Sequence, residues 1–238
     1  AEQLDFALNS AAPLTLFIGP EGSGKTTVVR KVASETNSKR LIGTLSHYSV
    51  LESTPRAAIF RALGASAPRN NTDLDKATFD ATMIRANMQH GLPTLMIDDA
   101  DEIQASTLQR LFDICATTLE GLLVKLVLVG RENFDECITH QQIKSFYCPT
   151  IELGPMSEED TSSYVHHRCA VAGFKAMPFT PKALKELYQV SQGNPLILNV
   201  ACMVALDEAR RERQPMIDSD QIKRCCAKEG IQAKTESA

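Results

Sequence analysis

Tryptophan is missing from this 238-residue chain, and aromatic residues make up only 5% of it. A nucleic-acid surface of basic residues interleaved with aromatics has little to draw on. An excess of positive charge is also missing: 25 Lys and Arg stand against 29 Asp and Glu, for a net charge of −4. That balance removes any global attraction to nucleic acid or anionic lipid and leaves only a local patch open. No stretch approaches the ~20 consecutive apolar residues of a membrane span. The first residues lack a basic segment followed by an apolar run, so no secretory leader is expected. The seven cysteines (Cys115, Cys137, Cys148, Cys169, Cys202, Cys225 and Cys226) include no C-x-x-C pair and no metal-ligand spacing. Their odd number fits reduced thiols in a cytosolic protein. The vicinal pair Cys225–Cys226 has two readings, a redox couple or two half-buried helix residues, and the second is the better supported. What is present is an ordinary globular composition, 43% hydrophobic and 23% charged, long enough for one large domain or a core with a smaller companion.

The most informative stretch runs from Pro13 to Thr26. Leu14, Leu16, Phe17 and Ile18 form a short apolar run of the kind found in a buried central strand. Gly19-Pro20-Glu21-Gly22-Ser23-Gly24-Lys25-Thr26 then matches the phosphate-binding spacing G-x-x-x-x-G-K-[ST], known as Walker A. Glycines at 19, 22 and 24 let backbone N–H groups curl around phosphate oxygens. Thr27 to Ala33 reads as a helix whose N-terminus faces those phosphates. Lys25 is placed to reach the β- and γ-phosphates, and the Thr26 hydroxyl to ligate Mg²⁺. The bland alternative is a Gly-rich turn that binds nothing. A strand before, a helix after and every fixed position filled argue against it.

Further along, Glu2–Leu8 is a short amphipathic helix candidate and Arg40–Leu45 a second strand. Ser53–Leu63 reads as a helix with Pro55 near its start, where a missing N–H costs least. A loop at 66–72 precedes a helix over Asp73–His90, closed by Gly91 and Pro93. Thr94-Leu95-Met96-Ile97 then runs into Asp98-Asp99, the form of a Walker B strand. Asp98 emerges at the carboxyl edge, where it can hold Mg²⁺ through water. Asp99 can act as general base toward the attacking water. Strand alternation would send these two side chains in opposite directions, and Asp101 and Glu102 are the rivals for the base. An acidic helix cap is the plainer reading of the same residues; the upstream phosphate loop favours the functional one.

Ser106–Leu119 has Leu108, Leu111, Phe112 and Cys115 at helical spacing. Leu122–Gly130 reads as a buried strand ending in Arg131-Glu132-Asn133, where a γ-phosphate sensor, Arg131 foremost, would sit; a plain loop is the alternative. A helical turn and a strand over Pro149–Leu153 follow. From Gly154 onward only helices are expected: one capped by Ser157 with Glu158, Glu159 and Asp160 in its first turn, one begun by Phe179-Thr180-Pro181, one opened by Pro195 with Leu196, Val200, Met203 and Val204 on one face, and a last one near Ser219. This sets a boundary between an α/β nucleotide-binding core over 1–154 and a small all-helical lid over 155–238. His166-His167 lacks a third metal ligand, and solvent-facing or capping roles fit better. Arg210-Arg211-Glu212-Arg213 reads as a solvated helix end. Arg56, Arg61, Arg69 and Lys76 could line one face.

A phosphate loop, a strand ending in two acids and a helical lid resemble the AAA+ P-loop ATPases. Gly154-Pro155-Met156-Ser157-Glu158-Glu159-Asp160, Val171-Ala172-Gly173-Phe174, Phe179-Thr180-Pro181-Lys182-Ala183-Leu184 and Ser191-Gln192-Gly193-Asn194-Pro195 are similar to the group holding the ATPase of general secretion pathway protein A and the MuB- and TniB-type transposition ATPases. The resemblance spans nearly the whole chain. It implies a five-stranded parallel sheet in 5-1-4-3-2 order, ATP with Mg²⁺ as the bound species, and a site completed by a neighbouring subunit. On that pattern Gly19, Pro20, Glu21, Gly22, Ser23, Gly24, Lys25, Thr26 and Thr27 bind nucleotide, Thr26 and Asp98 hold the metal, and Lys25, Asp99 and Arg131 serve catalysis. There are departures. The second acid is usually Glu and is Asp99 here. The arginine usual after the lid proline is replaced by Leu196. Between Gln141 and Leu153, where the group carries arginines that reach a neighbour's nucleotide, only Lys144 is basic, a poor substitute for a guanidinium fork.

These features imply an ATPase module that couples Mg·ATP binding and slow hydrolysis to conformational change or assembly, within an envelope secretion machine. The implied partners are ATP and ADP, other copies of the chain, and a protein of a secretion or related complex. Its place would be the cytoplasm, alone or as the cytosolic part of an inner-membrane protein. Two alternatives stay open. One is a DNA-dependent ATPase of transposition type, less favoured by the negative charge. The other is an adaptor that binds nucleotide and hydrolyses little.

Overall fold

The computed structural model describes residues 2–10, 12–36, 40–46, 50–65, 73–115, 122–134 and 149–231. Five short strands, β1 (Leu14–Ile18), β2 (Ile42–Leu45), β3 (Thr94–Ile97), β4 (Lys125–Gly130) and β5 (Thr150–Glu152), pair in parallel in the order β2-β3-β4-β1-β5. Read from the other edge, this is the expected 5-1-4-3-2 sheet. Around it lie helices α1 (Glu2–Asn9), α2 (Lys25–Thr36), α3 (Val50–Ser53), α4 (Pro55–Ala62), α5 (Lys76–His90) and α6 (Ala105–Cys115). Beyond the sheet come α7 (Glu158–Val171), α8 (Pro181–Ser191), α9 (Pro195–Glu212) and α10 (Ser219–Glu229).

Side chains alternate across a strand, so the sheet builds a core on each face. Leu14, Leu16, Ile18, Leu95, Ile97, Leu126 and Leu128 share one with Ile59, Phe79, Met83 and Leu111. Phe17, Met96, Val127 and Val129 share the other with Leu4 and Leu8 of α1 and Val29 and Val32 of α2. Every residue of β1, β3 and β4 is buried, as both-sided cover of a parallel sheet requires.

By Cα proximity the chain separates into two compact units, Ala1–Gly19 with Lys25–Leu153, and Pro20–Gly24 with Gly154–Ala238. In the second unit each helix begins on a side-chain cap. Ser157, Thr180, Asn194 and Asp218 accept N–H groups of Asp160, Ala183, Leu196 and Ile197, and Gln221. Pro181 and Pro195 occupy first-turn positions.

The structure departs from the sequence reading at several places. The helix expected over 53–63 is α4, Pro55–Ala62, but a short helix that the sequence reading did not expect, α3, precedes it; Thr54 between them sits at φ −133°, ψ 62°, because the residue before proline is driven from helical geometry. The described part of α6 ends at Cys115; 116–121 lie outside the described residues. β4 begins at Lys125 rather than Leu122. The buried face of α9 is Leu198, Ala201, Ala205 and Ala209. Leu196 and Met203, expected on that face, are exposed. Small residues four apart let α9 lie close against α8 and α10, which outweighs the pull of the larger side chains. The helical segment also holds one parallel bridge, Phe179 to Ile217. The helical turn expected after Arg131-Glu132-Asn133 falls largely within 135–148, outside the described residues.

Candidate nucleotide site

Register places the functional side chains. Ile18 pairs with Gly130, so Gly19 and Arg131 leave β1 and β4 side by side. Ile97 pairs with Leu128, which brings Asp98 to the same carboxyl edge. Open parallel sheets bind ligands at this edge.

After β1, the chain turns through Gly19–Gly24, with Gly22 at φ 76° and Gly24 at φ 94°. Only glycine adopts these angles without strain. Pro20 accepts the N–H of Ser23 at 3.2 Å, and the Ser23 hydroxyl is enclosed with no hydrogen-bond partner among the described residues. Within the second unit, Asn194 donates through Nδ2 to the Glu21 carbonyl at 2.8 Å. The Leu196 N–H donates to the Gly22 carbonyl at 3.3 Å. A Cβ on Gly22 would lie 2.6 Å from that of Leu196, so residue 22 must lack one.

In the first unit, α2 opens with Lys25, Thr26 and Thr27 and has no acid in its first turn. Its positive end is left without a carboxylate of its own. Lys25 Nζ donates to the Gly19 carbonyl at 2.7 Å. Burial pulls the Lys25 pKa below the usual lysine range, and Asp101, then Asp98, Asp99 and Glu132, oppose that.

The acids occupy a turn rather than the strand. β3 ends at Ile97, although the Asp98 N–H still donates to Leu45 O at 2.9 Å. Asp98 is buried, and its Oδ1 accepts the Asp99 N–H at 3.2 Å. Asp99 adopts the left-handed conformation, φ 52°, ψ 38°. Asp98 is buried and Asp99 exposed across this left-handed turn, which lies past the end of β3, so strand alternation does not set the two apart. Such a residue costs about 1–2 kcal/mol, least for Asn and Asp. Burial raises the Asp99 pKa, reinforced by Asp98, Glu102 and Asp101 and opposed by Lys25; a carboxylate held this way is a better base than an ordinary aspartate.

Ala100–Glu102 forms a 3₁₀ turn before α6. Asp101, mostly buried, accepts the Arg131 Nε–H at 2.5 Å, and Arg131 Nη2 lies 3.9 Å from Glu102 Oε1. Asp101 is thus engaged by a cation, which argues against it as the base. No group of three or more His, Cys, Asp or Glu among the described residues could hold a metal by itself. The Thr26 hydroxyl and Asp98 carboxylate are hard oxygen donors, and they fit Mg²⁺, which keeps several waters and shares phosphate oxygens.

Two features escaped the sequence reading. One is the Asp101–Arg131 pair. The other is Lys125, only 2% exposed in the middle of the sheet, whose Nζ donates to the carbonyls of Ala7 at 2.6 Å and Ser10 at 2.8 Å. A lysine inside Leu-Leu-Val-Lys-Leu-Val-Leu-Val was the available signal. The remaining basic candidates have local partners: Arg56 pairs with Asp73, Arg61 donates to Ala57 O, and Lys76 pairs with Asp80. Arg69, Lys144, Cys137 and Cys148 lie outside the described residues. His166 and His167 are exposed, and His166 Nδ1 lies 2.8 Å from Ser162 O. Cys225 and Cys226 are both buried, and burial raises both thiol pKa values, that of Cys226 to about 11.

This architecture is shared with known proteins. General secretion pathway protein A of Aeromonas hydrophila is 28% identical over 210 residues, covering 85% of this chain; the chain spans only 38% of that protein. Among solved structures, Cdc6p from Pyrobaculum aerophilum superposes with a TM-score of 0.69 at 17% identity, over 99% of this chain and 67% of its own. The Holliday junction branch migration motor RuvB of Thermotoga maritima superposes with a TM-score of 0.60 at 15% identity, over 95% and 67%. These likenesses confirm an AAA+ P-loop fold. No described helix is long and apolar enough to cross a membrane. A family model described as "AAA domain" matches residues 8–138, more than half of the chain, and the chain belongs to that family.

Proposed function

We propose that the carboxyl edge of the sheet binds Mg·ATP and hydrolyses it slowly, and that the chain acts as a nucleotide-driven module of a larger assembly. One observation carries the reading. An acid-free helix start bearing Lys25 and Thr26 shares the carboxyl edge of the sheet with a buried Asp98 and a base-like Asp99. In this reading Gly19–Thr27 cradles the phosphates and Lys25 neutralises the β- and γ-phosphates. Thr26 and Asp98 hold Mg²⁺, which supplies charge neutralisation on the phosphate oxygens. Asp99 takes the proton of the attacking water, and Arg131, directly after β4, stands at the sensor position.

Slow turnover is supported by Leu196 standing where an arginine is usual. Arginines supplied to such sites raise rates on the order of 10³–10⁵-fold. The domain division, a nucleotide core over 1–154 and a helical lid over 155–238, belongs to this same reading. So do nucleotide-dependent self-association and a cytoplasmic location. The secretion role rests on the name of the Aeromonas relative and is extended here to a chain that covers 38% of it. Lys25→Ala tests the site. It is expected to weaken Mg·ATP binding at least about tenfold, since it removes a charge-assisted phosphate contact, without changing the far-ultraviolet circular dichroism. Unchanged affinity and turnover would reject the site.

A further inference from the structure

α9 carries two apolar stripes. Leu198, Ala201, Ala205 and Ala209 form the buried one. Leu196, Val200 and Met203 recur at helical spacing on the opposite side. There Val200 is half-buried, Leu196 54% exposed and Met203 58% exposed. The fold uses the first stripe and leaves the second to solvent.

Beside the second stripe lies a cavity of about 420 Å³. α7 and α9 each pack on α8 and stand apart from one another, and the cavity is the groove between them. Val165, Leu206 and the buried Phe179 line it together with Phe174 and Met203, both exposed. The lining runs from Tyr164 to Ala172 on α7 and from Asn199 to Asp207 on α9, or about 12 Å along each helix. An extended segment would bring unpaired N–H and C=O groups against this lining. Tyr164 and Asn199 offer such a segment little, because they are already joined: Asn199 Nδ2 donates to the Tyr164 hydroxyl at 3.0 Å. A helix satisfies its own backbone, and its ridge of residues three and four apart is what a groove between two helices accepts.

The two walls carry opposite charges, Arg168 on α7 and Asp207 on α9. Both are exposed, and neither side chain has a hydrogen bond or ion pair among the described residues. A bound helix with an acid on one flank and a base on the other pairs both. Residues 232–238 hold no large apolar side chain, so they do not supply the ridge.

We propose that the groove between α7 and α9 docks an amphipathic helix of another protein, about two turns long, whose apolar ridge is flanked by an acid on one side and a base on the other. None of the groove residues belongs to the nucleotide site, and binding needs no nucleotide.

Fluorescence anisotropy of the whole chain with three labelled helical peptides tests this. All three carry the same leucine ridge. The first has glutamates on one flank and lysines on the other, the second glutamates on both, and the third lysines on both. A helix lies either way along a groove, so the peptides differ in charge composition and not in which flank is which. The parent is expected to bind the first about fivefold tighter than the others, the scale of exposed ion pairs gained or lost. Asp207→Lys should bind the all-glutamate peptide best, and Arg168→Glu the all-lysine peptide. Met203→Asp, at an exposed position, should weaken all three at least about tenfold with an unchanged circular dichroism spectrum. No binding of the first peptide, the parental order of preference kept in both charge variants, or full binding by Met203→Asp would overturn the proposal. So would self-association of the parent, read by sedimentation, that Met203→Asp abolishes, since a second copy would then be the occupant.

Discussion

Two helix starts in this chain are treated in opposite ways. α7 begins on a serine cap and carries Glu158, Glu159 and Asp160 in its first turn, so its positive end is satisfied from within. α2 begins after a glycine turn with Lys25, Thr26 and Thr27 and no acid, so its positive end is left for an anion from outside. The difference extends to the surroundings. The helical segment follows local rules almost throughout: caps, first-turn prolines and left-handed closures at Gln192, Arg213 and Gly230. The sheet unit breaks them, with a left-handed Asp99, a buried Asp98 and a buried Lys125. A region shaped for stability matches sequence rules; a region holding charge in place departs from them.

If the helical segment is specified by local geometry, its tightest point should be its most sensitive. Gly193 sits at φ 76°, and a Cβ there would meet the Met156 carbonyl oxygen at 2.1 Å. Gly193→Ala is expected to cost roughly 3 kcal/mol or more, since backbone must move and a left-handed angle must be held. A shift in the urea midpoint measures it; a cost below about 1 kcal/mol would show a looser turn than this one.

Lys125 sharpens the other side of the comparison. Lys125→Met would remove the lysine donor from the carbonyls of Ala7 and Ser10, of which Ala7 keeps the Ser10 N–H and hydroxyl, at a net cost of about 1–2 kcal/mol after relief of the buried charge. Burial holds the Lys125 pKa at about 8, with Arg40 adding to the effect. Between that pH and the ordinary lysine range the unfolded chain binds the extra proton, so stability rises with pH across the window. The methionine variant should lose that rise, read from urea titrations at pH 8 and 10. A rise that survives the substitution would assign it to another group. The smallest effect belongs to the caps: Thr180→Ala removes the acceptor of the Ala183 N–H and should cost about 1 kcal/mol.

The order of strands was legible only through the family resemblance, because no local spacing places β4 between the phosphate-loop strand and the strand that leads into the acid pair. The face of α6 was legible because Leu108, Leu111, Phe112 and Cys115 repeat at 3.6-residue spacing. The face of α9 was not, because alanine carries little hydrophobic weight in a pattern and acts through close approach of backbones. The kink at Asp99 was hidden, since aspartate enters the left-handed region without a glycine to mark it. The Asp101–Arg131 pair joins residues 30 apart, beyond the reach of local spacing.

The account's central claim is that the two acids after β3 divide the work. Asp98 is enclosed and suited to a metal; Asp99 is kinked outward with a raised pKa and suited to a proton. Single-turnover hydrolysis and Mg·ATP affinity of Asp99→Asn, measured beside the parent, test this directly. The account predicts affinity within about twofold and a rate at least about 100-fold lower, the signature of a lost general base. Normal hydrolysis by Asp99→Asn, with Glu102→Gln inactive, would move the base to Glu102 and contradict the division.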